Sequence, residues 1–215
     1  SNRSNYMAVV NMSVHRGLSE LKLYANKIAS LNSGTFVLAN KQSNKTIGGK
    51  SIEDVNNLIK GNFDSMVALI ENRKRIKDAI VKSNAATNVT IAGKIMTVAE
   101  AIERKASIEF ERNFLRILQD QFSQQNNIVE QQNLQLPTKL ESFLQATLGE
   151  KRDVATVKDL TKTFEDNNKY VLIDPNHIQD YIQALDKSIN EFASQVDYTL
   201  SESNATTFFD VELVD

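Results

Sequence analysis

"TIAGKIMTVAEAIERK", residues 90–105, decides how this chain is read. Val89, Thr90 and Ile91 are β-prone, Ala92-Gly93 is a tight-turn pair, and Lys94-Ile95-Met96 returns. The spacing therefore predicts a hairpin over 89–96, with Gly93 in the turn. Thr97 and Glu100 follow at capping-box spacing. The threonine hydroxyl accepts from a backbone N–H in the first helical turn, and the glutamate reaches back to the N–H of the threonine. Forty-four residues earlier the chain writes "TIGGKSIEDVNNLIKG" (46–61), again Thr-Ile-x-Gly-Lys ahead of a helix start. A second echo links "KSNAATNVTI" (82–91) with "ESNATTFFDV" (202–211). Both read as a helix end, Ser-Asn-Ala, threonine, then strand. Residues 208–213 are accordingly predicted to be a strand, expected to join the 89–96 hairpin in a small antiparallel sheet. The copies are too few and too divergent for a solenoid.

Between these devices the apolar spacing is helical. Ser13 is read as the N-cap of a helix whose face is Val14, Leu18, Leu21, Ala25, Ile28 and Leu31, ending near Asn32–Gly34. Thr35–Leu38 and Thr46-Ile47 form a weak hairpin candidate. A second helix starts at Ser51, with Ile52, Val55, Ile59, Phe63, Met66, Ile70, Ile76 and Ile80 on its face. Its "RKRIKDAIVK" stretch (73–82) places bases toward the negative end of the helix dipole; the simpler reading is a solvated face. The third helix has Ile102 and a 108–122 stripe of Ile108, Leu115, Leu118 and Phe122 toward the core, widened by Phe110, Phe114 and Ile117. It is expected to stop at Pro137. Short helices are predicted over 138–148 and 156–166 and a strand over 170–173. A last helix opened by Asp174-Pro175 has Ile178, Tyr181, Leu185, Ile189, Phe192 and Val196 on its face.

The expected fold class is mainly α (α+β): long antiparallel helices packed as a bundle, with the hairpin 89–96 and the C-terminal strand 208–213 forming a small sheet at one end. Residues 1–12 are expected to be a flexible N-terminus and 13–215 a single helical domain. The polar, Gln-rich part of the third helix places a projecting or folded-back helical segment at about 122–168.

Composition narrows the chemistry. With 41% hydrophobic residues, 7 Gly and 2 Pro, the chain has the makings of a packed core and few irregular segments. It has no cysteine, so no disulfide, thiolate nucleophile or Cys-based metal site. The net charge of -2 gives no reason to expect a nucleic-acid partner. No apolar run approaches the roughly 20 residues of a membrane span, and residues 1–10 lack the pattern of a secretory leader. His15 and His177 stand alone, without His-x-x-x-His or Glu-x-x-His spacing. "GGKS" (48–51) approaches a phosphate loop, but Asn44 occupies the place of its first glycine. Glu103, Arg104, Lys105, Glu109, Glu111 and Arg112 read as ordinary intrahelical pairs on a solvated or helix-packing face. No catalytic, cofactor-binding or metal-binding residue is therefore assigned; no enzyme activity, cofactor, nucleic-acid or membrane partner is expected.

"VHRGLSELKLY" (14–24), "RKRIKDAIVKSNAATNVTIAGKIMTVAEAIERK" (73–105) and "SNATTFF" (203–209) resemble a group of proteins encoded by tailed bacteriophages and prophages of Gram-positive bacteria. That group is labelled virion structural or coil-containing. The resemblance covers roughly half of the chain. It implies a non-enzymatic structural or assembly protein that works through helix packing and oligomerisation. Its partners would be itself or other phage proteins, in the virion or the host cytoplasm. It carries no functional residue over; Gly93, Thr97, Glu100 and the 108–122 stripe stand as structural residues. Two alternatives stay open: a phage-encoded inhibitor that binds a host defence protein, and a small-ligand binder using the Gly-Lys turns at 46–51 and 91–97.

Overall fold

The computed structural model describes residues 6–215. The chain is mainly α with small antiparallel sheets. Its elements run β1 (Met7–Ser13), α1 (Val14–Leu31), β2 (Thr46–Ile47), β3 (Lys50–Ser51), α2 (Ile52–Ala86), β4 (Asn88–Ile91), β5 (Lys94–Thr97), α3 (Val98–Leu148), α4 (Val154–Asn168), α5 (Ile178–Thr206) and β6 (Phe208–Val214). The chain divides into two compact units. One comprises the residues through Ala106 with Phe192–Asp215, the other Ser107–Glu191.

In the first unit every helix start is preceded by a strand pair. Thr97 Oγ1 accepts from Glu100 N, and Glu100 Oε2 accepts from Thr97 N, both at 3.0 Å, so the capping box is complete. Ahead of it β4 and β5 pair in the predicted hairpin. Ala92 and Gly93 take φ of 51° and 75°, the doubly positive turn that matches strand twist. Alanine is disfavoured there; Gln195 Oε1 accepts from Ala92 N at 2.8 Å and ties the turn to α5. Around Gly48-Gly49, β2 and β3 form a smaller hairpin. Ser51 Oγ then caps α2 by accepting from Asp54 N at 3.2 Å. Thr35–Leu38 is not a strand; Thr46-Ile47 pairs with its sequence neighbour, because two glycines close the shorter loop.

The second echo has a structural counterpart. Thr87 O accepts from Val98 N at 2.8 Å, and Thr207 O accepts from Val14 N at 2.9 Å. In both places a helix ends on threonine, a strand follows, and its antiparallel partner runs into a capped helix. For β4 the partner is the next strand. For β6 it is β1, from the opposite end of the chain. The expectation that 208–213 joins the 89–96 hairpin is corrected accordingly, and so is the flexible N-terminus. Met7–Ser13 is a strand in register with Phe208–Val214; residues 1–5 lie outside the described residues. The run "MAVVNM" supplies the apolar β-prone side chains that β6 needs opposite it.

The inner face of β1–β6 carries Val10, Met12, Phe209, Val211 and Leu213 onto Val14 and Leu21 of α1 and Ile76 and Ile80 of α2. Each fully buried aliphatic side chain contributes about 1.5–3 kcal/mol. Gly17 sits on this face because the Phe209 ring needs the space: a Cβ there would lie 2.9 Å from Phe209 Cζ. The five bases of 73–82 end before the last turn of α2, which has none, so they do not compensate its dipole.

In the second unit Ile108, Leu115, Leu118, Leu144 and Ile189 are buried. Phe143 stacks on Phe164 of α4 with centroids 5.1 Å apart, and Phe114 meets Tyr181 edge-on at 6.2 Å. Three expectations fail here. α3 does not stop at Pro137 but runs through it to Leu148, absorbing the predicted 138–148 helix. Burial of Leu144 and the Phe143–Phe164 stack beyond the proline offset the lost hydrogen bond. Tyr170–Ile173 is not a strand. No strand lies beside it among the described residues; instead the Asn133 side chain bonds the backbone of Tyr170, N–H at 2.9 Å and C=O at 3.0 Å. Asp174-Pro175 precedes rather than opens α5. The Asp174 carboxylate accepts from Ile178 N at 3.0 Å, and His177 takes φ of 50° at the bend.

Candidate functional site

The residues weighed for chemistry sit at helix starts and turns. His15 is exposed in the first turn of α1; His177 is exposed at the bend before α5. Ser51 Oγ, the hydroxyl a phosphate loop would use, is engaged as an N-cap, and Lys50 is exposed beside it. Among the described residues no group of three or more His, Asp or Glu side chains could hold a metal ion. No helix there is long and apolar enough to cross a membrane. The charges of 103–112 pair both within α3 and beyond it. Glu109 and Arg112 meet within α3 at 3.3 Å, but Lys105 reaches Asp197 of α5 at 2.6 Å, and Arg104 lies 4.5 Å over the Phe192 ring. Part of this helix face is solvated and part packs on another helix, the two settings its charge pattern allows.

The electrostatically perturbed pair is Glu141 with Arg152. Arg152 donates from Nη2 to Glu141 Oε1 at 2.7 Å and from Nη1 to Oε2 at 3.1 Å. These hydrogen bonds, aided by the charge of the guanidinium, hold the Glu141 carboxyl below its ordinary range and outweigh a slight desolvation. In return the carboxylate raises Arg152. Arg152 Nε also donates to Gly149 O at 3.4 Å, so the cation closes the C-terminal end of α3. This fastens a turn.

What the surface offers is apolar contact area. On α3 Phe110, Phe114 and Ile117 follow one another at four and three residues and are exposed, Phe110 at 81%. On α2 Phe63, Val67 and Ile70 repeat the spacing, also exposed. The predicted core stripe thus splits: Ile108, Leu115 and Leu118 are buried, while the residues that widen it, and Ile102, face outward. The groove between α2 and β6, of about 680 Å³, is open and lined by Arg75, Lys82, Phe208 and Asp210 among others.

Asn72 escaped the sequence reading. It is a buried polar residue of the first unit, 6% exposed, and its amide bridges the backbone of Val214. Nδ2 donates to Val214 O at 2.8 Å, and Oδ1 accepts from Val214 N at 2.7 Å. The signal was present: Asn72 stands four residues before Ile76 and eight before Ile80, a polar side chain on the apolar stripe of α2. No family model, curated protein or solved structure matches the chain.

Proposed function

We propose that the chain is a non-enzymatic assembly protein of a tailed phage or prophage, acting through helix packing and self-association. The observation that carries the assembly part is the exposed Phe110–Phe114–Ile117 seam on α3. Apolar side chains at alternating steps of four and three make a stripe that a second helix can cover. Contiguous exposed apolar surface is costly in water unless a partner covers it. The phage part rests on the likeness of residues 14–24, 73–105 and 203–209 to coil-containing virion proteins.

Mass spectrometry of gradient-purified particles from the source phage or induced prophage tests this reading. Many copies per particle are expected. Absence from particles, with abundance in infected cells, overturns the virion role. The inhibitor reading then leads, with pull-down of host proteins as its own test.

A further inference from the structure

The β1–β6 pair has two outer edges, and the structure treats them differently. The ladder's phase follows from its ends. Val14 N donates to Thr207 O, and Asp215 N donates to Tyr6 O. Tyr6, Ala8, Val10, Met12 and Val14 therefore turn their amides toward β6, and Met7, Val9 and Asn11 turn theirs away. On β6 the outward positions are Phe208, Asp210, Glu212 and Val214 by the same alternation. That edge is guarded. Asn72 occupies both backbone groups of Val214 as a neighbouring strand would, and Arg75 Nη1 donates to Glu212 O at 3.4 Å. Asp210 and Glu212 add charge, a common device against edge pairing. The edge of β1 has none of this. Among the described residues the outward backbone groups of Met7, Val9 and Asn11 have no hydrogen-bond partner, and no strand but β6 pairs with β1. Val9 is 66% exposed, and Met7–Met12 holds no charge and no proline.

We propose that the free edge of β1 pairs antiparallel with β1 of a second copy of this chain, giving a four-stranded sheet ordered β6–β1–β1–β6 across a two-fold axis. The occupant follows from the strand itself. With Val9 opposite Val9 of the second copy, Met7 falls opposite Asn11, and the outward amides of Met7, Val9 and Asn11 each meet an outward carbonyl. Each of these opposed pairs exchanges two backbone hydrogen bonds. No like charges face one another, as Asp210 and Glu212 would if β6 paired with itself. The guarded edge of β6 stops the sheet at four strands, so association closes as a dimer rather than continuing as a fibre. The hairpin β4–β5 is a poorer candidate: its strands are four residues long, and the outward N–H of Thr97 is already bound by Glu100. The inference rests on the assembly reading in supposing that the protein works by self-association. It adds a surface distinct from the helix seams.

Cysteine-free background makes the test direct. Val9→Cys in the full chain, under mild oxidation, is expected to give a cross-linked dimer, since directly opposed residues lie about 5.5 Å apart, within disulfide range. Met7→Cys and Asn11→Cys are expected to cross-link when mixed, and each alone much less. Val9→Pro removes only an outward N–H and leaves the bonds to β6 intact. It is expected to raise the dimer dissociation constant at least tenfold by sedimentation equilibrium, with helical content unchanged. A wild-type chain that stays monomeric at its highest attainable concentration overturns the proposal, as does equal cross-linking of all three variants alone. A dimer insensitive to Val9→Pro but lost with Phe110→Glu overturns strand pairing and leaves the assembly reading standing.

Discussion

Asn72→Ala is the substitution whose effect can be worked furthest. The wild-type amide makes two hydrogen bonds to Val214, at 2.7 and 2.8 Å, from a position 6% exposed. A net contribution of about 1 kcal/mol per bond gives about 2 kcal/mol. The truncation also strands the N–H and C=O of Val214. Because Val214 is half-buried, water reaches them in part, and the added penalty is at the low end, up to about 1 kcal/mol. The expected loss is about 2–3 kcal/mol, or a fall of about 1 M in urea midpoint at the slope usual for a chain of this size. Amide exchange at Leu213 and Val214 should accelerate with it, since the C-terminal end of β6 loses its clamp. Asn133→Ala is the internal control. It removes the same pair of bonds, to Tyr170, but at an exposed site, so it should cost less than about 1 kcal/mol. Equal effects from the two variants, or a loss at Asn72 under about 0.5 kcal/mol, would refute the claim that burial gives the bridge its weight.

Three further outcomes are expected. Thr97→Ala combined with Glu100→Ala should destabilise the first unit by about 1–2 kcal/mol, because both reciprocal cap bonds go; unchanged thermal unfolding would rule the cap out as a determinant. Pro137→Ala should stabilise the second unit by up to about 3 kcal/mol, since it restores the N–H that α3 lacks at that position; destabilisation would mean that the proline sets a break the chain needs. The Glu141–Arg152 pair gives a pH signature. Glu141 is depressed in the folded state, so its contribution is present above its ordinary value of 4.5 and is lost as pH falls through the lower folded value. Arg152→Gln should abolish that acid-side loss and lower stability at neutral pH by the same amount, which is small because the pair is solvent-exposed. An identical acid limb in the variant would contradict the assignment.

Local chemistry was legible in the chain. Thr97 and Glu100 announce their own cap, Ala92-Gly93 their turn, Ser13 and Ser51 the starts of α1 and α2. Each of these bonds spans three residues, so no distant contact is needed to form it. The repeated Ser-Asn-Ala-Thr echo also marks a real device, a helix end leading into a strand. What tertiary structure alone decided was partnership. β6 had a suitor of matching pattern in the β4–β5 hairpin, yet it pairs with Met7–Ser13, about as distant in sequence as the chain allows. Nothing local ranks those choices; the packing of Val10, Met12 and Val211 on Ile76 and Ile80 does. Tyr170–Ile173 has strand composition, but a strand needs a neighbour. It receives only an asparagine side chain, leaving Ile173 94% exposed. Pro137 should end a helix by local rules and does not, because burial beyond it outweighs the missing bond. Where helices and turns begin is written locally in the chain, since those interactions lie within a few residues. Which strand lies beside which, and which apolar stripe is covered, was left to the tertiary structure, because those energies arise only when residues far apart in the chain remove each other from water.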